Sequence, residues 1–339
     1  MVTRLADLFP LILAAAAGAL VASPLLIRLC PKLGLVDLPG SAPHKGHSTP
    51  TPLAGGLVLL PAILVAYGFL RQALDTQVSG ILLGAVMMSL WGILDDRYGL
   101  EPWQKLVGQA LATALLVAFG VQVRMTRVPA VDLLVTVLWM VGMANAFNFV
   151  DSMDGLALGL AAIASAFFML VTIDSMQPML SGLSATILGA TIGLFFFNAS
   201  PARLFLGDSG SQMLGFALAA LGIAYVPGQA GLPQGVSWFT PILVLGVPIF
   251  DTALVVFSRL RRRKPIYHPG RDHTYHRLVD VGLDPTRAVL AMQIAAVLLG
   301  LIAFIALGAS VPIANILFAA LVAAGLVLVI ALEAIVPHS

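Results

Sequence analysis

The sequence predicts an all-α polytopic membrane protein with about eleven transmembrane helices, folded as one domain over residues 1–339. Three observations predict it. The 339 residues are 59% hydrophobic and only 10% charged, where a soluble chain carries about 25% charged residues. Mean hydropathy is +0.99. The apolar residues are gathered into runs of spanning length, with most charges standing at the run ends. No separate soluble domain, low-complexity tract or internal repeat is visible.

Taken in order, the runs are about 8–30, 53–70, 78–94, 103–120, 131–150, 155–173, 179–197, 211–226, 237–257, 288–308 and 313–335, each near the roughly 17–25 residues that cross a bilayer. Pro24, Pro61, Pro241, Pro248, Gly84 and Gly142 fall inside runs, where neighbouring helices satisfy the backbone groups such residues free. The first run ends in small residues near Ala22-Ser23, but its start is weakly basic and Arg28 and Lys32 follow it. It therefore reads as an anchor with its N-terminus outside rather than a cleaved leader. The inner loops are then about 31–52, 95–102, 151–154, 198–210 and 258–287, the last long enough to hold a short interfacial helix. The single cysteine, Cys30, excludes an internal disulfide and a Cys-based zinc site and is expected to pack at a helix end.

Orientation follows from the basic residues. With the N-terminus outside, the inner loops hold Arg28, Lys32, Lys45, Arg97, Lys105, Arg203, Arg259, Arg261, Arg262, Arg263, Lys264, Arg271, Arg277 and Arg287, fourteen of the 18 Lys and Arg residues; the outer loops hold only Arg4, Arg71, Arg124 and Arg127. His44, His47, His268, His273 and His276 also fall inside, with most of the carboxylates. A carboxylate in the hydrocarbon costs about 2.5–3.5 kcal/mol on insertion scales, so acids at run ends are usually functional. Asp95-Asp96, Asp151, Asp154, Asp208 and Asp251 all stand at one face, the pattern of an active site built at a bilayer surface.

Five segments carry the chemistry. The third run ends Trp91-Gly-Ile-Leu-Asp95-Asp96-Arg97. Helical neighbours point about 100° apart, so one carboxylate can face a metal or nucleophile while the other is held by a partner. Next, Asn145, Asn148, Asp151 and Asp154 recur every third residue, close enough to the helical period to share one broad face; amides and carboxylates together suit a nucleobase, a ribose or a metal hydration shell. Gly155 lets the chain turn into the sixth run. The third segment runs from Asn198 through Arg203 and Phe205 to Gly207-Asp208-Ser209-Gly210-Ser211, opening the eighth run. Its glycines allow close approach of backbone N–H groups to a phosphate. Asp208 is either a hard oxygen ligand for Mg²⁺ or an ordinary N-cap. The fourth is the basic loop holding His268, Arg271, Asp272, His273, His276 and Arg277. Its histidines and Arg271 suit phosphate contacts, while the arginines disfavour a zinc site. The fifth, from His44-Lys45-Gly-His47 to Pro50-Thr-Pro52-Leu-Ala-Gly55-Gly56, is stiffened by prolines and offers Lys45 as a nucleotide-phosphate contact; Gly55-Gly56 permit close packing or ligand approach. Together these parts describe diphosphate chemistry in which one substrate is a membrane lipid.

The ordered set, from His44-Lys45-Gly-His47 through Asp95-Asp96, the Asn145–Leu156 segment and Gly207–Ser211 to Asp272-His273-x-x-His276, resembles the polyprenyl-phosphate N-acetylhexosamine-1-phosphate transferase family over nearly the whole chain. The resemblance implies transfer of a sugar-1-phosphate from a UDP-amino sugar to undecaprenyl phosphate with release of UMP, at the bacterial cytoplasmic (inner) membrane. It implies Mg²⁺ as cofactor, with Mn²⁺ as a substitute, held by Asp208 and beside Asp95. Asp95, Asp96 and Asp208 are the expected catalytic residues, the pair serving lipid-phosphate deprotonation or metal and substrate binding. Lys45, Asn145, Asn148, Asp151, Asp154, Asn198 and Phe205 would surround the uridine diphosphate, with Phe205 on uracil. His273, His276 and Arg271 would lie near the phosphates. No nucleic-acid partner is expected, and a homodimer is left open. Three positions depart from the family pattern: His44 stands where Arg is frequent, Ser152 where Gly is common, and Tyr275 where a histidine is usual. The absence of three adjacent histidines and of a Pro-Thr-Met-Gly-Gly run favours the N-acetylglucosaminyl branch over the phospho-N-acetylmuramoyl-pentapeptide transferases, the alternative reading. A secondary transporter is the rival from another class, but it would place acids near the midplane and show inverted repeats.

Overall fold

The computed structural model describes residues 4–39, 49–69, 75–227, 238–266 and 270–335. It is an all-α bundle. In chain order the helices are α1 (Leu5–Leu29), α2 (Gly55–Phe69), α3 (Thr76–Tyr98), α4 (Pro102–Ala118), α5 (Pro129–Val150), α6 (Leu156–Asp174), α7 (Pro178–Asn198), α8 (Gly207–Ala224), α9 (Thr240–Val244), α10 (Gly246–Arg261), α11 (Thr274–Asp280), α12 (Pro285–Ala306) and α13 (Val311–Ile335). A 3-10 turn follows α1 over Cys30–Leu33, with Cys30 fully buried. Two short strands, β1 (Val36–Asp37) and β2 (Thr51–Pro52), pair antiparallel with Val36 opposite Pro52.

Among the described residues seven helices are long and apolar enough to cross a membrane: α1, α3, α5, α6, α7, α12 and α13. The other expected spans correspond to α2, α4 and α8, of 15, 17 and 18 residues, and to the α9–α10 pair. The ninth run, read as continuous from sequence, is broken at Leu245. Pro248 has no N–H to give to the carbonyl of Val244, where α9 ends, so the helical ladder lapses there.

The sequence of α8 explains its place. Met213 through Leu221 contains only apolar and small residues on every face, and all of them are buried, as a helix at the centre of a bundle requires. It packs against α2, α3 and α5. Small residues set the closest contacts elsewhere. Gly189 and Gly193 of α7 face the backbone of α1 so closely that an added Cβ would stand 2.2 Å from the Ile12 carbonyl and 2.5 Å from that of Ala16, the small-xxx-small packing by which membrane helices approach without a hydrophobic drive between them. Leu13, Val21 and Leu25 of α1, Leu106 and Leu111 of α4, and Ile305 and Val327 of α12 and α13 are exposed, the surface an acyl environment would cover.

A cluster of carboxylates, amides and histidines gathers at one end of the bundle. There the C-termini of α3, α5 and α7 meet the N-termini of α4 and α8, and Asp251 in the first half of α10 meets the N-terminus of α11. At the opposite end Gln177 exchanges two hydrogen bonds with the backbone of Val226, at 2.7 and 3.1 Å, closing α6–α7 onto α8.

Candidate active site

The site begins with the N-terminus of α8, whose first N–H groups have no partner within the helix. Gly207 takes a positive φ of 69° and lets the chain enter α8 abruptly. The N–H groups of Asp208 and Ser209 then donate to Asp96 of α3, at 2.8 Å to Oδ1 and 3.1 Å to Oδ2. Asp96 thus caps a helix other than its own. The start of α2 presses on the same turn. A Cβ on Gly55 would stand 2.3 Å from the carbonyl of Leu206, and one on Gly56 2.7 Å from that of Ser209. The close packing expected of Gly55-Gly56 is therefore against α8. The strand residues hold this arrangement: Phe205 N–H donates to the Pro52 carbonyl at 2.9 Å, and Ala54 N–H to that of Phe205 at 3.2 Å.

With α8 capped from outside, the Asp208 carboxylate is not its own helix's N-cap. Its Oδ1 accepts a short hydrogen bond from Asn148 Nδ2, and its Oδ2 lies 2.7 Å from Lys105 Nζ. The same ammonium lies 2.6 Å from Asp95 Oδ2. Asp95 Oδ1 accepts from Leu100 N–H at 2.9 Å, whereas its buried Oδ2 has no aligned hydrogen-bond donor and faces the Lys105 ammonium and the Asp208 carboxylate. The Asp95-Asp96 pair is thus divided as helical geometry requires: Asp95 faces the ammonium and Asp208, Asp96 faces the α8 backbone. Lys105 reaches this point because α3 stops at Gly99, whose φ is 66°, and Glu101 with Gln104 caps α4 almost at once.

The end of α5 forms the next wall. Asn148 Nδ2 also meets Ser211 Oγ at 3.0 Å. One turn earlier, Asn145 Nδ2 donates to Gln109 Oε1 and to the Val141 carbonyl, both at 2.8 Å, and Gln109 Nε2 donates to Gln212 Oε1 at 3.0 Å. This amide network pins α4, α5 and α8 together beneath the carboxylates. The expectation that Asn145, Asn148, Asp151 and Asp154 share one helical face is corrected: α5 ends at Val150, and both aspartates lie in the turn beyond. Burial and the nearby Asp208, Asp96 and Asp154 hold the Asp151 carboxyl well above the usual carboxylate range, opposed by the Gly207 N–H. Asp154 Oδ2 accepts from Ala202 N–H at 3.0 Å. Buried Asn198 accepts from Gly155 N–H at 3.1 Å and donates to the Leu204 carbonyl at 3.0 Å. These last two side chains fasten the α5–α6 turn to the α7–α8 loop.

The basic loop closes the remaining side. Asp251 of α10 is fully buried; its Oδ2 meets His273 Nδ1 at 2.8 Å and its Oδ1 accepts from Thr274 N–H at 2.6 Å. The Tyr275 hydroxyl meets His276 Nε2 at 2.6 Å. Burial, with Arg271 and His273 nearby, pushes the His276 imidazole down to about 4, so it is neutral at pH 7, and burial pushes the Tyr275 phenol up to about 12. Arg271 itself is exposed. Arg259 and Arg262 each lie 3.2 Å from Asp272, and buried Arg277 pairs with Glu333 of α13 at 2.8 Å. Much of the basic run therefore anchors the loop. Phe149 meets the His273 ring edge-on at 6.0 Å, so consecutive residues of α5, Asn148 and Phe149, face the carboxylate cluster and the histidine loop.

The structure thus gathers Asp95, Asp96, Asn148, Asp151 and Asp208 around one helix start, with His273 joined to them through Phe149 and His276 beside His273. Lys45 lies outside the described residues, as do His44, His47 and His268. The sequence reading missed Lys105, which it counted only as a topology charge, and the Gln109–Gln212 amides. A lysine in the first turn of the helix after Asp95-Asp96 was the available signal. Among the described residues no three His, Cys, Asp or Glu converge as a metal cage. Two carboxylates sharing one ammonium do mark a cation position.

The glycosyl transferase family 4 profile matches residues 78–226, which span the site from α3 to α8 and end before Asp251. The chain is 32% identical over 289 residues to the probable undecaprenyl-phosphate N-acetylglucosaminyl 1-phosphate transferase of Bacillus subtilis, covering 81% of this chain and 78% of that protein. It is 30% identical over 313 residues to the decaprenyl-phosphate N-acetylglucosaminephosphotransferase of Mycobacterium tuberculosis, covering 81% and 76%. A phospho-N-acetylmuramoyl-pentapeptide-transferase of Heliobacterium modesticaldum is 33% identical over 241 residues, covering 62% and 73%.

Proposed function

Since the chain belongs to the polyprenyl-phosphate N-acetylhexosamine-1-phosphate transferases of glycosyl transferase family 4, we propose that it transfers N-acetylglucosamine-1-phosphate from its UDP-sugar to a polyprenyl phosphate. An oxygen of the lipid phosphate attacks the sugar-bearing β-phosphorus; the bond to the α-phosphate breaks, and UMP leaves. The observation that carries the reading is the cation position between Asp95 and Asp208, 2.6 and 2.7 Å from Lys105 Nζ, at the end of an apolar bundle. The longer match to the N-acetylglucosamine transferases, 81% of the chain against 62% for the pentapeptide transferase, supports that sugar.

Mg²⁺ fits this place. It is bound by one or two carboxylates and completes its shell with water and substrate phosphates, and the unaligned Oδ2 of Asp95 and the Oδ2 of Asp208 offer two hard oxygens. When bound, the ion neutralises charge on the phosphates. The chain's own part is positioning: Asn148 orients Asp208, Asp96 fixes the α8 turn, and the Lys105 ammonium, beside both carboxylates, would be available to a substrate phosphate. Because a phosphate monoester with a second pKa of about 6 is mostly dianionic at pH 7, little base strength is needed, and positioning with charge neutralisation dominates.

Lys105→Met removes the ammonium that competes for those oxygens. We expect the variant to melt lower than the parent without metal and to gain more from Mg²⁺, since a ligand stabilises by its effective affinity for the folded state. A Mg²⁺-induced rise in Tm that is smaller than the parent's would overturn the shared cation position. The topology that accompanies the reading has eleven crossings, the N-terminus outside and the site on the cytoplasmic face of a bacterial inner membrane, supported by the fourteen inner Lys and Arg residues.

The deciding experiment measures UMP release by detergent-purified protein given undecaprenyl phosphate, Mg²⁺ and a panel of UDP-amino sugars, with EDTA as control. Lipid-dependent release with UDP-N-acetylglucosamine is expected. No release with any donor, from folded protein, would overturn the function.

A further inference from the structure

Asp251 lies beyond the segment that the family profile matches, and its carboxylate has no part in the cation position described above. It is fully buried in α10, yet both its oxygens are engaged by the loop that carries the histidines: Oδ2 by His273 Nδ1 at 2.8 Å and Oδ1 by Thr274 N–H at 2.6 Å. Thr274 is the first residue of α11, so its N–H has no partner inside that helix. The carboxylate therefore meets two donors at once. An ionised carboxylate can only accept, so this pairing assigns the ring proton to Nδ1 and leaves Nε2 for other work. Among the described residues Nε2 takes no hydrogen-bond partner. Phe149 lies edge-on to the ring at 6.0 Å and limits its rotation.

We propose that Asp251 is the positioning residue of His273, holding the imidazole by Nδ1 so that Nε2 is the nitrogen presented to the reacting phosphates. The proposal rests on the transferase reading, in which His273 lies near those phosphates. In the neutral ring Nε2 accepts. It can take the proton of a monoprotonated phosphate, and the resulting imidazolium N–H then pairs with the phosphate oxygen that lost it, while Asp251 balances the charge through Nδ1. The same carboxylate ties α11 to α10, so histidine orientation and helix start are set by one group.

Asp251→Asn tests this by chemistry rather than by size. Asparagine keeps the shape but has one acceptor oxygen. The Thr274 N–H claims that oxygen, which turns the amide NH₂ toward His273 Nδ1 and drives the ring proton to Nε2. The full-length protein with ¹⁵N-labelled histidine should show an Nδ1-protonated ring, assigned to His273 by its loss in His273→Gln, and Asp251→Asn should convert it to the Nε2-protonated form. UMP release should fall by about 10- to 100-fold, the loss typical when the group that orients a metal-bound histidine is changed, mostly in kcat. In a His273→Ala background Asp251→Asn should cost nothing further, because the two act as a unit. An Nε2-protonated His273 in the parent protein would overturn the proposal even if the variant fails to fold, and so would additive losses in the double variant. Absence of UMP release from the parent would sink the transferase reading alone, since the ring tautomer is read without turnover.

Discussion

Asp208→Ala should lower metal-dependent UMP release by about a thousand-fold, equivalent to about 4 kcal/mol of transition-state stabilisation. The fold should survive, because the α8 N-terminus is capped by Asp96 through the backbone N–H groups of residues 208 and 209 and needs no side chain at 208. The variant would also release Lys105 from one of its two carboxylates and leave Asn148 with Ser211 alone, so Mg²⁺ should no longer raise its Tm. Rate and metal-dependent melting are the measurements. An Asp208→Ala protein that turns over like the parent, or still gains Tm from Mg²⁺, would remove Asp208 from the cation site. Asp95→Ala should cost less in rate. Only its Oδ2 faces the ammonium, since Oδ1 accepts from the Leu100 N–H, and Asp208 with substrate phosphates can still hold the ion.

The sequence made the membrane class and the gathering of polar groups at run ends legible because hydropathy and charge position are local properties. Gly55-Gly56 was legible too, as a place of close approach. What it approaches was not, because α8 lies far along the chain. The partners of the acids were hidden for the same reason. Asp95 and Asp208 meet a cation, Asp96 and Asp154 take backbone N–H groups from distant elements, and Asp251 takes His273 Nδ1 together with the Thr274 N–H. An isolated aspartate at a helix end looks the same in both roles, since the distinguishing partner is tertiary. The three-residue spacing from Asn145 to Asp154 imitates helical period, but α5 stops at Val150 and Gly155, with φ of 74°, reverses the chain. Lys105 was hidden by its ordinary context, a basic residue in the first turn of the apolar helix that follows an inner loop. Its value comes from two carboxylates, one of them 103 residues away.

Asp96→Ala should be the most damaging change to the architecture of the site. Removing the carboxylate leaves the N–H groups of Asp208 and Ser209 unpaired beneath packed helices, at about 1–3 kcal/mol for each buried donor, and it removes a negative charge from the positive end of the α8 dipole. The first turn of α8 carries Asp208, so loss of this cap should displace the cation ligand as well as lower Tm. Asp96→Asn separates holding from proton transfer. Its amide retains one acceptor for one of the two N–H groups, so a fastener predicts intermediate loss of Tm, with half-maximal activity moved to higher Mg²⁺ concentration and an unchanged pH profile. A proton acceptor for the lipid phosphate predicts a normal Tm, a normal Mg²⁺ requirement and a rate that recovers as pH rises through the phosphate's own second pKa, near 6, where the substrate arrives already dianionic. The geometry favours the first outcome. Both oxygens of Asp96 are already engaged by N–H donors at 2.8 and 3.1 Å, and a carboxylate that must keep two backbone groups satisfied is a poor base for a third partner.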